Sequence, residues 1–130
     1  MSDYGMSRVF NGSVEEAEAA ITDALKNVGF GMLTRIDVAD TLKKKIDYDR
    51  APYVILGACN PKVASQALEM EEELGLLLPC NVIVYESGSG ETVVSVIEPE
   101  AMLSVVRRDD MSVLASEIRV LLNQALNSIQ

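Results

Sequence analysis

Ala58-Cys59-Asn60-Pro61 and, further on, Leu76-Leu77-Leu78-Pro79-Cys80-Asn81-Val82 bracket the segment whose reading decides the fold, and they hold both cysteines and two of the four prolines. The run entering the segment, Tyr53-Val54-Ile55-Leu56-Gly57-Ala58, is short, nearly all apolar and bounded by turn residues. That pattern predicts a strand buried on both faces. Asn60 is a favoured N-cap and Pro61 a favoured first helical residue, so a helix starts there. It runs through Val63, Ala64, Ala67, Leu68 and Leu74, and Gly75 reads as its stop. Asn81 to Glu86 then reads as the next strand, with Cys80, Val82 and Val84 on one face and Asn81, Ile83 and Tyr85 on the other.

Two features of this segment go beyond helix punctuation. Cys59 stands one residue before the cap, where unpaired amides and the positive end of the helix dipole favour a thiolate. A free cysteine also serves as a small buried hydrophobe, so a functional thiol and a packing thiol are both open here. Leu76, Leu77 and Leu78 stand between the helix stop and a proline, and they must pack in the core, line a pocket or meet another subunit. Glu69, Glu71, Glu72 and Glu73 crowd the predicted end of the helix, where the dipole disfavours negative charge; a solvated face accounts for them, with an acidic surface for a cation or a basic partner as the alternative.

Composition removes several classes of function. A chain of 130 residues, 48% hydrophobic and 24% charged, has the make-up of one globular domain, read as residues 1–130 with a candidate disordered lead-in over 1–8. A net charge of −9 opposes nucleic-acid binding, which needs clustered Lys and Arg. Lys43-Lys44-Lys45 and Arg107-Arg108 are short, flanked by acids and read as solvated faces. No apolar run reaches the roughly 20 residues of a membrane helix, and the N-terminal residues lack a signal-peptide pattern, so a cytosolic location without a membrane partner is expected. Two cysteines in such a compartment are expected as thiols. The chain has no histidine, which excludes Ser-His and Cys-His nucleophile pairs and His-based zinc sites.

Outward from the bracketed segment, Val9 and Phe10 end a short strand and Ser13-Val14-Glu15-Glu16 reads as a capping box. The helix it opens carries Ala17, Ile21, Ala24, Leu25 and Val28 on one face and stops at Gly29. Phe30 to Ile36 is a strand, and Asp37 caps a short helix with Val38, Leu42 and Ile46 at four-residue spacing. On the C-terminal side, Ser87-Gly88-Ser89-Gly90 joins two strands as an antiparallel hairpin. Glu98-Pro99 opens a helical turn, and Asp109 or Asp110 caps a last helix striped with Met111, Leu114, Ile118, Leu121, Leu122 and Ala125. The sum is an α+β fold, a two-layer sandwich of helices packed on one mixed, largely antiparallel sheet. No glycine-rich phosphate loop lies between a strand and a helix.

The blocks Phe30 to Asp37, Tyr53 to Pro61 and Gly75 to Glu86 resemble the signature of a widespread prokaryotic family, domain of unknown function 302, and the likeness runs over nearly the whole chain from about residue 14. The resemblance implies a compact α/β domain that tends to form homodimers, with cysteines at positions matching Cys59 and Cys80. It implies no established reaction, substrate or cofactor. Whether the two cysteines meet depends on the loop before Cys80. A helix from Pro61 to Leu74 carries the chain roughly 20 Å away, and five extended residues recover at most about 17 Å. A parallel crossover would leave Cys80 at the far end of the sheet.

Three functions fit these observations. One is a small dimeric domain that binds a small molecule or a soft metal near Cys59, Asn60, Cys80 and Asn81, with Cys59 and Cys80 as the metal-ligating candidates. Another is a thiol enzyme with Cys59 as nucleophile, although no base adjoins it. The third is an assembly module in which Leu76, Leu77 and Leu78 form interface and both cysteines are packing.

Overall fold

The computed structural model describes residues 2–130. Five strands and five α-helices follow in the order β1 (Gly5–Phe10), α1 (Val14–Asn27), β2 (Gly31–Asp37), α2 (Val38–Ile46), β3 (Tyr53–Cys59), α3 (Pro61–Met70), β4 (Cys80–Glu86), β5 (Thr92–Ile97), α4 (Pro99–Ser104) and α5 (Met111–Ser128). A 3-10 turn over Glu72–Leu77 joins α3 to β4. The sheet order is β1-β5-β4-β3-β2. Every neighbouring pair is antiparallel, so the parallel element in the expected mixed sheet is not there.

Local chemistry sets most element ends. Ser13 accepts from the Glu16 amide at 3.0 Å while Glu16 accepts from the Ser13 amide at 3.0 Å, completing the capping box. Beyond α1, Gly29 takes a positive φ of 93°, the backbone turn that glycine makes without a Cβ clash. Asp37 caps α2 by accepting from the Asp40 amide at 2.9 Å. Gly90, at φ 85°, closes the β4–β5 hairpin.

Two boundaries differ from the sequence reading. The α3 helix ends at Met70 and not at Leu74, and Gly75 has no positive φ. Glu71 breaks the helix in extended backbone and accepts from the Glu73 amide, opening the 3-10 turn. Glu72 and Glu73 therefore lie in the first turn of the next element, where the helix dipole tolerates them. Arg108, read as solvated, in fact donates to the Met70 carbonyl at the α3 end and pairs with Asp110. Asp110 precedes α5, but its carboxylate is spent on Arg108 and makes no cap hydrogen bond.

The core lies between one face of the sheet and helices α1 and α5. Ile21 and Leu25 from α1, Leu56, Val82, Val84, Val94 and Val96 from the strands, and Leu122 from α5 are all but fully buried. Thr92 is a buried polar exception, and it donates to the Gly12 carbonyl at 2.7 Å, tying the β1–α1 turn to β5. Only one face is covered in this way. On β3 the buried Val54 and Leu56 alternate with half-buried Tyr53 and Ile55, so the expected burial on both faces is not met within one chain.

Candidate functional site

The antiparallel β3–β4 pairing answers the cysteine question: the chain leaves β3, runs out along α3, and comes back to the same end of the sheet. Ala58 pairs with Cys80, so Cys59 and Cys80 lie on neighbouring strands within one residue of register. Both are free thiols. Asn60 is bound as the α3 cap, accepting from the Val63 amide at 3.3 Å.

Above this end of the sheet lies a cavity of about 320 Å³. Its origin is visible in the packing. The α3 helix has its contacts with the 3-10 turn and α5 and stands off the sheet. The residues facing the gap are too small to fill it: Ala58 and Cys59 from the strand, Ala64 and Ala67 from α3. Phe30, Leu74, Leu103, Leu114 and Ile118 add to its buried wall. Leu33 and Leu68, both exposed, stand at its lining where it meets solvent. The wall is almost wholly apolar, and its polar edge is supplied by Cys59, Cys80 and Asn60.

Of the residues expected at the site, Cys59, Asn60 and Cys80 share this cavity, and Leu78 joins them. Asn81 does not. It is exposed on the opposite face of the sheet, because successive strand residues point to opposite sides. Leu76 is the most exposed large hydrophobic residue at 83%, and with Leu77 it borders a separate shallow groove shared with Asn81 and Ile97. Leu33 and the α3 alanines were not distinguished from ordinary core or strand positions in the sequence, because an apolar helix face reads the same whether it meets a neighbour or a void.

Burial, and then the neighbouring Cys59 thiol, push the Cys80 thiol up to about 11 from an ordinary 9.0. Cys80 is thus held neutral, the reverse of an activated nucleophile. A stability effect follows. Below pH 9 folded and unfolded chains both carry the neutral thiol and nothing changes. Between pH 9 and 11 only the unfolded chain ionises it, so stability is lost as pH rises, by at most about 2–3 kcal/mol. Denaturant unfolding at pH 8 and pH 11 checks this, since Cys80→Ala should show a shallower loss than the parent; equal losses would refute the assignment. For metal binding, no group of three or more Cys, Asp or Glu side chains is gathered closely enough to hold an ion among the described residues.

Comparison with known proteins places this geometry in a wider setting. The family model described as "Domain of unknown function DUF302" matches residues 6–129. The crystal structure of an uncharacterized conserved DUF302 protein from Bacillus stearothermophilus superposes with a TM-score of 0.92 at 25% sequence identity, covering 99% of this chain and 100% of that one. No curated protein matches this sequence. No helix among the described residues is long and apolar enough to cross a membrane.

Proposed function

Since this chain belongs to the DUF302 family, we propose that it is a binding domain for a small, uncharged, predominantly apolar molecule, held in the cavity under α3 beside the two thiols. The observation that carries this reading is the cavity itself: about 320 Å³ of space with an almost wholly apolar wall. Ligand pockets commonly begin near 300 Å³, and an engineered apolar void of about 150 Å³ already binds benzene. A bicyclic ring or a medium alkyl chain is therefore the right scale. The Asn60 side-chain oxygen is engaged in capping, so the polar recognition left at the rim is the Asn60 side-chain NH2 and the weak donor and acceptor capacity of two sulfurs. A charged ligand would lose its hydration there with nothing to replace it.

A soft-metal site is less well supported, because it needs both sulfurs as thiolates and Cys80 is pushed toward the neutral form. Thiol catalysis by Cys59 lacks a histidine base.

Titration with N-phenyl-1-naphthylamine, an uncharged bicyclic fluorophore, tests the proposal. The parent protein should show a saturable, blue-shifted rise in emission, and bound probe should slow alkylation of Cys59. Ala67→Phe places a ring in the cavity and should weaken binding at least tenfold while cooperative unfolding is kept. Non-saturable uptake, or equal binding by the parent and Ala67→Phe, would sink the idea.

A further inference from the structure

We infer that α3 is a lid on the cavity and that Arg108 is the latch holding it shut. The helix has little hold of its own. Among its ten residues only Ala67 is buried, whereas α5 buries seven. Segments with so little buried apolar surface lie at the low end of the local stability scale and open before the rest of a fold. Both ends of α3 suit a hinge. Asn60 precedes it and Glu71 follows it, each in extended backbone, and beyond Glu71 the 3-10 turn is fixed by Leu74, which is buried in the core. A rigid rod between two non-helical residues moves by changing φ and ψ at those positions.

Arg108 supplies what the helix lacks at its C-terminal end. The last turn of α3 contains no basic residue, and its final carbonyls carry the negative end of the helix dipole. Asp110 grips the Arg108 guanidinium in a two-bond fork, with Nε donating to Oδ1 at 3.0 Å and Nη2 to Oδ2 at 2.6 Å. That leaves Nη1 to donate to the Met70 carbonyl, the last of the helix, and it lies 3.8 Å from the Glu71 carboxylate. Among the described residues no other element makes a side-chain hydrogen bond or ion pair to α3. Arg107, immediately before the latch, takes a left-handed φ of 58°, so the connection that presents Arg108 is held in a backbone state uncommon outside glycine.

The latch ties together two walls of the cavity. Ala64 and Ala67 line it from α3, while Leu103 lines it from α4 and Leu114 and Ile118 from α5. Arg108 belongs to the connection between α4 and α5, so its bond to Met70 holds α3 to the helices across the gap. Release of that bond lets α3 swing away from Cys80, which the closed helix keeps buried at 4% exposure. The Arg108, Glu71 and Asp110 side chains are themselves partly exposed, so salt reaches the contact and weakens it. The purpose of the lid rests on the cavity being a ligand site, but its movement needs no ligand and is measured without one.

Amide hydrogen exchange on the ligand-free chain provides the test. Arg108→Ala should raise exchange from Ala64 to Met70 at least tenfold while α1 and α5 keep their protection, whereas a merely structural role would raise it throughout. In a Cys59→Ser background the same change should speed alkylation of Cys80 by iodoacetamide at least tenfold. Arg108→Lys, which keeps the charge but loses the two-bond fork, should fall between parent and Arg108→Ala. On the parent, raising sodium chloride from about 0.05 M to about 1 M should increase α3 exchange severalfold, and salt-insensitive exchange would overturn the latch even if Arg108→Ala fails to fold. Stopped-flow mixing with N-phenyl-1-naphthylamine should show faster entry and release in Arg108→Ala. A parent that takes up no probe while Arg108→Ala frees α3 alone would keep the latch and sink the ligand reading. Unchanged α3 exchange in Arg108→Ala, or exchange raised equally in every helix, would overturn the inference.

Discussion

Leu56→Ala is expected to lower the stability of the fold by about 3–5 kcal/mol, the range for a leucine removed from a close-packed interior. Leu56 lies in the middle of β3, pairs with Val82 on one side and Arg35 on the other, and is 2% exposed. Its side chain is part of the cluster that joins the sheet to α1 and α5. Truncation loses the transfer free energy of the missing carbons and leaves a void that two hydrogen-bonded neighbouring strands cannot collapse to fill. Against a typical total of 5–15 kcal/mol, such a loss is a large share of what holds the chain folded. Urea unfolding should show a lower midpoint with an unchanged slope. Leu76→Ala offers the contrast: this exposed leucine lies outside the core, and its loss should move monomer stability by no more than about 0.5 kcal/mol. A cost below about 1 kcal/mol for Leu56→Ala would mean that the sheet–helix core is looser than the burial implies.

Gly57→Val should cost about 3 kcal/mol or more and should also damage the cavity. The reason is space, not backbone freedom, since Gly57 has no positive φ. A Cβ there would sit 2.6 Å from Pro79 Cγ and would also overlap Thr34 Oγ1. Valine adds two methyl groups to that collision. Thr34 belongs to the paired strand β2, and Pro79 leads directly into Cys80, so relief requires moving one or both. Displacement of Pro79 carries along Leu78 and Cys80, two residues of the cavity wall. Fluorophore binding should fall more than tenfold even where the variant remains folded. Thr34→Ala in a Gly57→Ala background should recover part of the stability lost by Gly57→Ala, a non-additivity expected of residues in contact. Gly57→Val unfolding within about 1 kcal/mol of the parent would refute the close approach.

Much of the architecture was legible without coordinates because local rules govern it. Ser13, Asp37 and Asn60 cap helices, and Gly29 ends one, through interactions reaching only three or four residues. The Ser87–Gly90 hairpin follows from turn chemistry in the same way. Misreadings arose where a distant group competes with the local one. The apparent helix extension to Leu74 and stop at Gly75 had the right residue types, yet the chain breaks at Glu71, where Arg108 takes the Met70 carbonyl from 38 residues away. Asp110 looked like a cap until the same arginine claimed its carboxylate.

For the site, the sequence by itself determined that two thiols flank one helix, that no histidine can assist them, and that the strand entering this segment is apolar on both sides. Family membership was equally legible, because it is carried by contiguous blocks of residues. Three things were decided only by the tertiary structure. Antiparallel return of β4 beside β3 brings Cys59 and Cys80 together, since register is a property of two strands and not of either one. The stand-off of α3 turns small residues into a cavity, because volume depends on what faces a side chain as well as on the side chain itself. And the helices cover only one side of the sheet, leaving Asn81 on the other side, away from the thiols.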